Sequence, residues 1–132
     1  MATLTDAQRT FLDDIRYAVV ATINPDGMPQ QTVLWYERQG DEIMMNTSRG
    51  RLKDDNLRRD PRISFCIEDE YRYLTLRGTA TLIDDQEQAQ EDITRLARRY
   101  TPDFDERNMA PFRSQERVTI RMRIDHIHSN RD

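Results

Sequence analysis

A chain of 132 residues has the length of one domain, and with 33% charged and 36% apolar residues it has a hydrophilic globular composition rather than that of a disordered segment. Its net charge of -4 speaks against general nucleic-acid binding, which needs a basic surface, and no apolar run approaches the ~20 residues of a membrane span. Residues 1–6 show no secretory signal and the single cysteine, Cys66, excludes an intramolecular disulfide, so a cytoplasmic location is expected.

Thr5-Asp6-Ala7-Gln8 reads as a capping box, and Ala7, Phe11, Leu12 and Ile15 recur at helical spacing, so a first helix is expected over 6–16. Residues 17–23 read as a buried strand. Asn24-Pro25-Asp26-Gly27 is a tight turn into a second strand over 30–38, and Gln39-Gly40-Asp41 leads into a third over 42–47. Connections this short demand an antiparallel meander. A loop and a short helix over 52–59 follow, stopped by Pro61. The fourth strand is Arg62–Asp69, and the fifth covers 71–83 with Gly78 marking a bulge or corner. The clearest helix runs over 84–100, with Asp84 as its cap and Glu87 at the third position. Residues 101–116 read as a loop. Val118, Ile120, Met122 and Ile124 then alternate with polar residues as a half-buried strand. Six antiparallel strands with flanking helices predict a mainly β (α+β) single domain over 1–132, closed into a small barrel that removes its edges.

The chain uses 19 Arg and a single Lys, Lys53. Between positions 49 and 62, Arg49, Arg51, Lys53, Arg58, Arg59 and Arg62 stand against Asp54, Asp55 and Asp60, a local excess of three positive charges (six minus three) in an acidic protein. Arg51 and Lys53 fall at the mouth of the short helix, where an anion would meet free N–H groups and the helix dipole. Charge spacing alone favours a solvated loop with i,i+4 ion pairs.

The segment 46–62, with Asn46-Thr47, Arg51-Leu52-Lys53 and Asn56-Leu57, resembles the phosphate-binding segment of the pyridoxamine 5′-phosphate oxidase-like, split β-barrel family. Ala18-Val19-Val20-Ala21-Thr22-Ile23 with Asp26-Gly27-Met28-Pro29-Gln30 resembles that family's first hairpin. Tyr73-Leu74-Thr75-Leu76-Arg77-Gly78-Thr79-Ala80 resembles the strand before its long helix. The order of the blocks fits across nearly the whole chain.

The resemblance implies a six-stranded antiparallel split β-barrel that forms homodimers, with cofactor clefts at the interface. Arg51 and Lys53 match the pair that holds the cofactor phosphate, and Thr47 and Asn46 the contacts to phosphate and ribityl chain. Gln30 and Thr32 match positions lining the ring system, and Tyr71 and Tyr73 match aromatic positions near the cofactor. The family has FMN branches and branches using coenzyme F420, an 8-hydroxy-5-deazaflavin. The chain stops at Ser129-Asn130-Arg131-Asp132, without the Arg- and Trp-bearing extension of the pyridoxamine-phosphate oxidases, and its Arg-x-Lys-x-x-Asn-Leu pattern looks more like the deazaflavin branch.

The expected function is therefore hydride transfer from F420 to a conjugated small-molecule substrate. The alternatives are an FMN-dependent flavoprotein, a non-catalytic flavin or haem binder, and a barrel for single-stranded nucleic acid, the last disfavoured by charge. No side chain stands out as a proton donor: Tyr36, Tyr71 and Tyr73 suit packing first. His126 and His128 share a strand face but lack a third metal ligand at suitable spacing, so no metal site is expected.

Overall fold

The structure is a computed structural model and describes residues 1–130; Arg131 and Asp132, the last two residues of the chain end noted above, lie outside it. Helix α1 (Asp6–Asp13) starts at the expected capping box: Gln8 N–H donates to Thr5 Oγ1 at 3.1 Å, and Thr5 N–H donates to Gln8 Oε1 at 2.9 Å. It ends three residues before the expected boundary. Its C-terminal end carries acids, which oppose the helix dipole, and Asp13 binds Arg38 bidentately at 2.8 Å. Ile15 is left exposed rather than on a helix face.

Strands β1 (Ala18–Ile23) and β2 (Pro29–Leu34) form the first hairpin, and Gly27 takes the left-handed conformation its turn requires (φ 88°). The single strand expected over 30–38 is broken in two. After β2 the chain turns at Trp35-Tyr36 and resumes as β3 (Glu37–Gln39). Tyr36 is wholly buried. Its hydroxyl donates to Leu12 O at 2.8 Å, its N–H donates to the Tyr100 hydroxyl at 3.1 Å, and its carbonyl accepts from Arg99 Nε at 3.0 Å. Side chains thus satisfy the backbone groups that a ladder would otherwise use, and the strand can turn a corner there.

The remaining elements are β4 (Glu42–Ser48), α2 (Leu52–Arg59), β5 (Arg62–Asp69), β6 (Arg72–Ile83), α3 (Gln86–Tyr100), a 3-10 turn (Glu106–Met109), α4 (Ala110–Arg113) and β7 (Arg117–Ser129). Among the described residues the sheet therefore has seven strands, not six, in the order β2-β1-β5-β6-β7-β4-β3, with antiparallel neighbours throughout. β2 and β3 are consecutive in the chain yet lie at opposite edges of the sheet. The sheet must curl until those edges meet at the Trp35-Tyr36 corner. The barrel is closed there by the chain and not by a ladder, so a seam runs between β2 and the β3–β4 hairpin.

The barrel interior is filled by alternate residues of each strand, among them Val20, Ile43, Met45, Phe65, Leu76, Ile120 and Met122. A second cluster, Met44, Ile93, Leu96, Ala97 and Met109, packs α3 and the 3-10 turn on the outer face of β4. β4 is therefore covered on both sides. Segment 101–116, expected to be loop, carries the 3-10 turn and α4 because Asp105 and Asn108 form a capping box that drops Met109 into this cluster. The α3 cap is Asp85, not Asp84: Asp85 accepts from Gln88 N–H at 3.1 Å, while Asp84 is taken by Arg49 and Arg58. Gly78 marks a bulge, as expected. Arg77 pairs with His126 but Gly78 with Ile124, leaving Asp125 of β7 as the extra residue.

Candidate functional site

Arg49, Gly50 and Arg51 link β4 to α2 and decide what that helix presents. Gly50 takes φ 85°, and its N–H donates to Asp54 Oδ2 at 2.8 Å. Asp54 is buried in the first turn of α2 and also accepts from Arg58 Nε at 3.0 Å. The carboxylate reaching back to the turn fixes Arg51 as the residue before the helix. Arg51 makes no side-chain cap bond, so the N–H groups of the first turn are not closed by its side chain. At the other end Asn56 Nδ2 donates to Thr22 Oγ1 (3.1 Å) and Asn24 Oδ1 (3.0 Å), which seats α2 across the end of the barrel.

The cations of this segment fall into two groups. Arg49 pairs with Asp84 (3.0 Å) and Glu116 (3.5 Å), Arg58 with Asp54 (3.0 Å) and Asp84 (2.6 Å), and Arg62 with Asp60 (2.7 Å). These are the solvated ion pairs that charge spacing favours. Arg51, Lys53 and Arg59 make no ion pair among the described residues, although acids surround them in sequence; Arg59 is bound to the neutral Ile23 O and Asn56 Oδ1 (3.2 Å to the latter), which sets Arg51 and Lys53 apart. A further cation without an ion pair among the described residues joins these two. Arg117, at the start of β7, pairs across the ladder with Ser48, and Arg49 N–H donates to Glu116 O at 2.8 Å. Arg117 lies just beyond a stretch expected to be loop, and only its one-residue offset from the alternating strand could have pointed to it.

Burial pushes the Lys53 ammonium below its ordinary range, and the positive charges of Arg51 and Arg117 push it further. The sign is that of a destabilising charge. The unfolded chain holds this proton more tightly, so the cost is present at neutral pH and is relieved as pH rises through the lowered folded value. Lys53→Gln is therefore expected to leave the thermal midpoint of the ligand-free protein unchanged or slightly raised. Differential scanning fluorimetry at pH 7 checks this, and a fall of several degrees would contradict it.

The other expected site residues are distributed as follows. Thr47 is buried at the end of β4 and makes no side-chain hydrogen bond among the described residues. Gln30 and Thr32 are half-buried on β2, opposite Thr22 and Val20, on the barrel's inner face beside the seam. Both therefore lie at or near the end that α2 covers. Asn46 is buried on the opposite face of β4: its amide donates to Ala89 O (2.9 Å) and Thr119 Oγ1 (3.4 Å), and its carbonyl accepts from Arg117 Nε (2.9 Å). Its side chain is engaged with the protein.

Tyr71 and Tyr73 lie elsewhere. Tyr71 is 86% exposed at the β5–β6 turn, and the Tyr73 hydroxyl is 3.3 Å from His128 Nε2. β6 carries them away from Ile83, which pairs with Thr119 near Asn46. Ten residues of strand separate Tyr73 from Ile83, about 30 Å. One protomer does not bring these tyrosines to Arg51 and Lys53. Tyr36 is sealed in the core with its hydroxyl donated to Leu12 O, out of reach of a ligand, and burial raises that hydroxyl above the ordinary tyrosine value.

Of two cavities in the sheet, the smaller bears on the site. One of about 220 Å³ opens at the seam, lined by Val33, Leu34, Trp35, Asn46, Ile93, Leu96, Phe112 and Arg117. Trp35 stacks on Tyr100 there with ring centroids 5.3 Å apart. A larger one, about 420 Å³, lies on the outer sheet face around the bulge, with Ile23, Pro29, Ser64, Arg77 and His126 in its lining, and contains none of the expected site residues. Among the described residues no helix is long and apolar enough to cross a membrane.

Solved structures share this architecture. A conserved hypothetical protein from Mycobacterium tuberculosis is 30% identical, with a TM-score of 0.81 over 96% of this chain and 84% of its own. An F420 reductase is 25% identical, with a TM-score of 0.82 over 95% of this chain and 98% of its own. A candidate pyridoxamine 5′-phosphate oxidase from Listeria innocua, 15% identical, shares the fold with a TM-score of 0.74 over 96% of this chain and 98% of its own. The pyridoxamine 5′-phosphate oxidase family matches residues 4–131. With its curled antiparallel sheet, its seam and the α2 segment at the barrel end, the chain belongs to the pyridoxamine 5′-phosphate oxidase family of split-barrel proteins.

Proposed function

We propose that the protein is an oxidoreductase that binds coenzyme F420 and transfers a hydride between it and a conjugated small-molecule acceptor. The observation that carries this reading is that Arg51 and Lys53, at the start of α2, make no ion pair among the described residues, in a segment where Arg49, Arg58 and Arg62 are paired with acids and Arg59 is bound to neutral oxygens. Such a pair of cations fits a cofactor phosphate. The likeness to an F420 reductase at 25% identity supports the deazaflavin over FMN.

In this reading Arg51 supplies a planar fork and Lys53 a point charge to the phosphate. The first-turn N–H groups of α2 add the helix dipole, and Thr47 offers its hydroxyl. Gln30 and Thr32 face the ring. A homodimer is part of the proposal, because only a second copy can carry Tyr71 and Tyr73 toward this end of the barrel. The cross-strand pair Val19 and Val33, 40% and 61% exposed on the outer face of β1 and β2, offers apolar surface for that contact. When bound, the coenzyme supplies the hydride chemistry. The protein's part is to hold the ring, exclude water from one face and leave room for the acceptor. FMN is the alternative, since the same cations suit its phosphate.

The test is turnover with reduced F420 and an enone or quinone acceptor, followed as the return of oxidised-coenzyme absorbance. Protein-dependent oxidation that requires the acceptor is expected. A protein that purifies yellow with FMN and does not oxidise reduced F420 would instead place it with the FMN-dependent members.

A further inference from the structure

Arg117 is 7% exposed, and every group that holds its guanidinium is neutral. Nε donates to Asn46 Oδ1 at 2.9 Å, Nη1 donates to Gln115 Oε1 at 2.5 Å, and the group lies 5.2 Å from the Phe112 ring centroid. No carboxylate pairs with it among the described residues. Other arginines nearby do find acids: Arg113 pairs with Glu106 and Arg121 with Glu42. A buried charge without a counter-charge is destabilising, and a well-packed apolar side chain would serve the fold better. Desolvation, with the repulsion of Arg51, lowers its pKa to about 10.

The surroundings hold this side chain in one orientation. The Asn46 amide group is engaged by Ala89 O and Thr119 Oγ1, so its carbonyl must point at Arg117. Thr119 is fixed in turn by donating to Asp92 Oδ2 at 2.6 Å. Arg117 also lines the seam cavity with Trp35 and Phe112. A cation is thus kept rigid at a cavity wall, next to two others that have no counter-ion among the described residues.

We infer that Arg117 is a third ligand of the anion site, reaching from the cavity side the same group that Arg51 and Lys53 take, and that this group is a dianion. A phosphate monoester has that charge, as does a phosphodiester with a carboxylate beside it. One negative charge would leave the three cations repelling one another; two offset most of that repulsion. Asn46 is a positioning residue for Arg117. This inference rests on the function proposed above.

The test compares ligands with and without the phosphate: FMN and riboflavin differ in that group alone, whereas F420 and its ring-ribityl fragment differ in the phosphate and the carboxylate-bearing tail beyond it. FMN and riboflavin, and F420 and its phosphate-free ring-ribityl fragment, are titrated into the parent protein, Arg117→Gln, Arg117→Lys and Lys53→Ala. Arg117→Gln should weaken the phosphate-bearing ligands about 10- to 150-fold and leave the phosphate-free ones within about 2-fold, with Arg117→Lys between. The ligand-free Arg117→Gln protein should melt no lower than the parent. Equal losses for both ligand types would show a purely structural role and overturn the inference. Lys53-dependent binding that Arg117→Gln leaves intact would overturn it while sparing the proposed function. If the parent binds none of the four, the proposed function fails and inorganic phosphate decides: a phosphate-induced rise in melting temperature that Arg117→Gln abolishes upholds the anion site, and no rise overturns it.

Discussion

Gly78→Ala should cost the fold at least about 3 kcal/mol, as overpacking of a site that cannot move. At the β6–β7 bulge a Cβ on residue 78 would stand 1.8 Å from Arg123 O and 2.9 Å from its carbonyl carbon. The obstacle is backbone, so no side-chain rotamer change relieves it. Arg123 pairs with Thr79 in the same ladder, and β6 is bound on its other edge by β5, where Gly78 faces Ile63. Neither strand can withdraw without breaking pairing on both sides. A fall in thermal midpoint of at least about 10 °C is expected for a domain of this size. Gly27, Gly40 and Gly50 have open space around them, and their constraint is positive φ alone, so alanine there should cost less, about 1 kcal/mol. If Gly78→Ala melts within a few degrees of the parent, the register shift described here is wrong.

The double variant Arg51→Ala, Lys53→Ala should lose the phosphate-bearing cofactor by about two to four orders of magnitude. Each charge-assisted contact contributes about 1.5–3 kcal/mol, and the two act on one group from adjacent positions. Neither side chain holds the fold: Arg51 is exposed, and Lys53 carries a charge that burial and its neighbours disfavour. The variant should therefore fold and melt like the parent, which separates lost binding from lost structure. Binding by the parent should also weaken as salt is raised, because the contacts are ionic and partly exposed. Unchanged affinity in the double variant would return the loop to a solvated surface.

Much of the architecture follows from local patterns in the chain. The Thr5-Gln8 capping box, the Asn24–Gly27 turn and the stop at Pro61 each rest on residues close together in sequence, and each forms as local chemistry requires; the bulge is marked by Gly78 alone, although its cause, the Arg123 carbonyl of β7, is distant in sequence. The break at Trp35-Tyr36 does not. Alternation favours continuing that strand, and it is overridden by Tyr100 and Arg99, more than sixty residues away, which bind the Tyr36 backbone. The split barrel forms as expected, and the count of six strands becomes seven for that one reason. Asp84 is misassigned as a cap because its attraction to Arg49 and Arg58 is tertiary.

The site divides in the same way. Arg51 and Lys53 are legible as a cationic helix mouth, and the resemblance to the split-barrel family singles them out from the neighbouring arginines. Sequence cannot tell paired from unpaired cations, since that depends on Asp84 and Glu116 folding back onto the segment. Arg117 becomes visible only when β7 is laid against β4. Asn46, expected at the cofactor, lines the seam cavity and also holds Arg117, a role that its position on β4, turned toward α3, makes visible only in the fold.

The most direct test of the central claim is an equilibrium fluorescence titration of the purified protein with F420 and, separately, FMN, each repeated with the Arg51→Ala, Lys53→Ala double variant. Saturable F420 binding that is stronger than FMN binding and collapses in the double variant is the predicted result. Binding of neither cofactor, or equal binding by the parent and the variant, would contradict it.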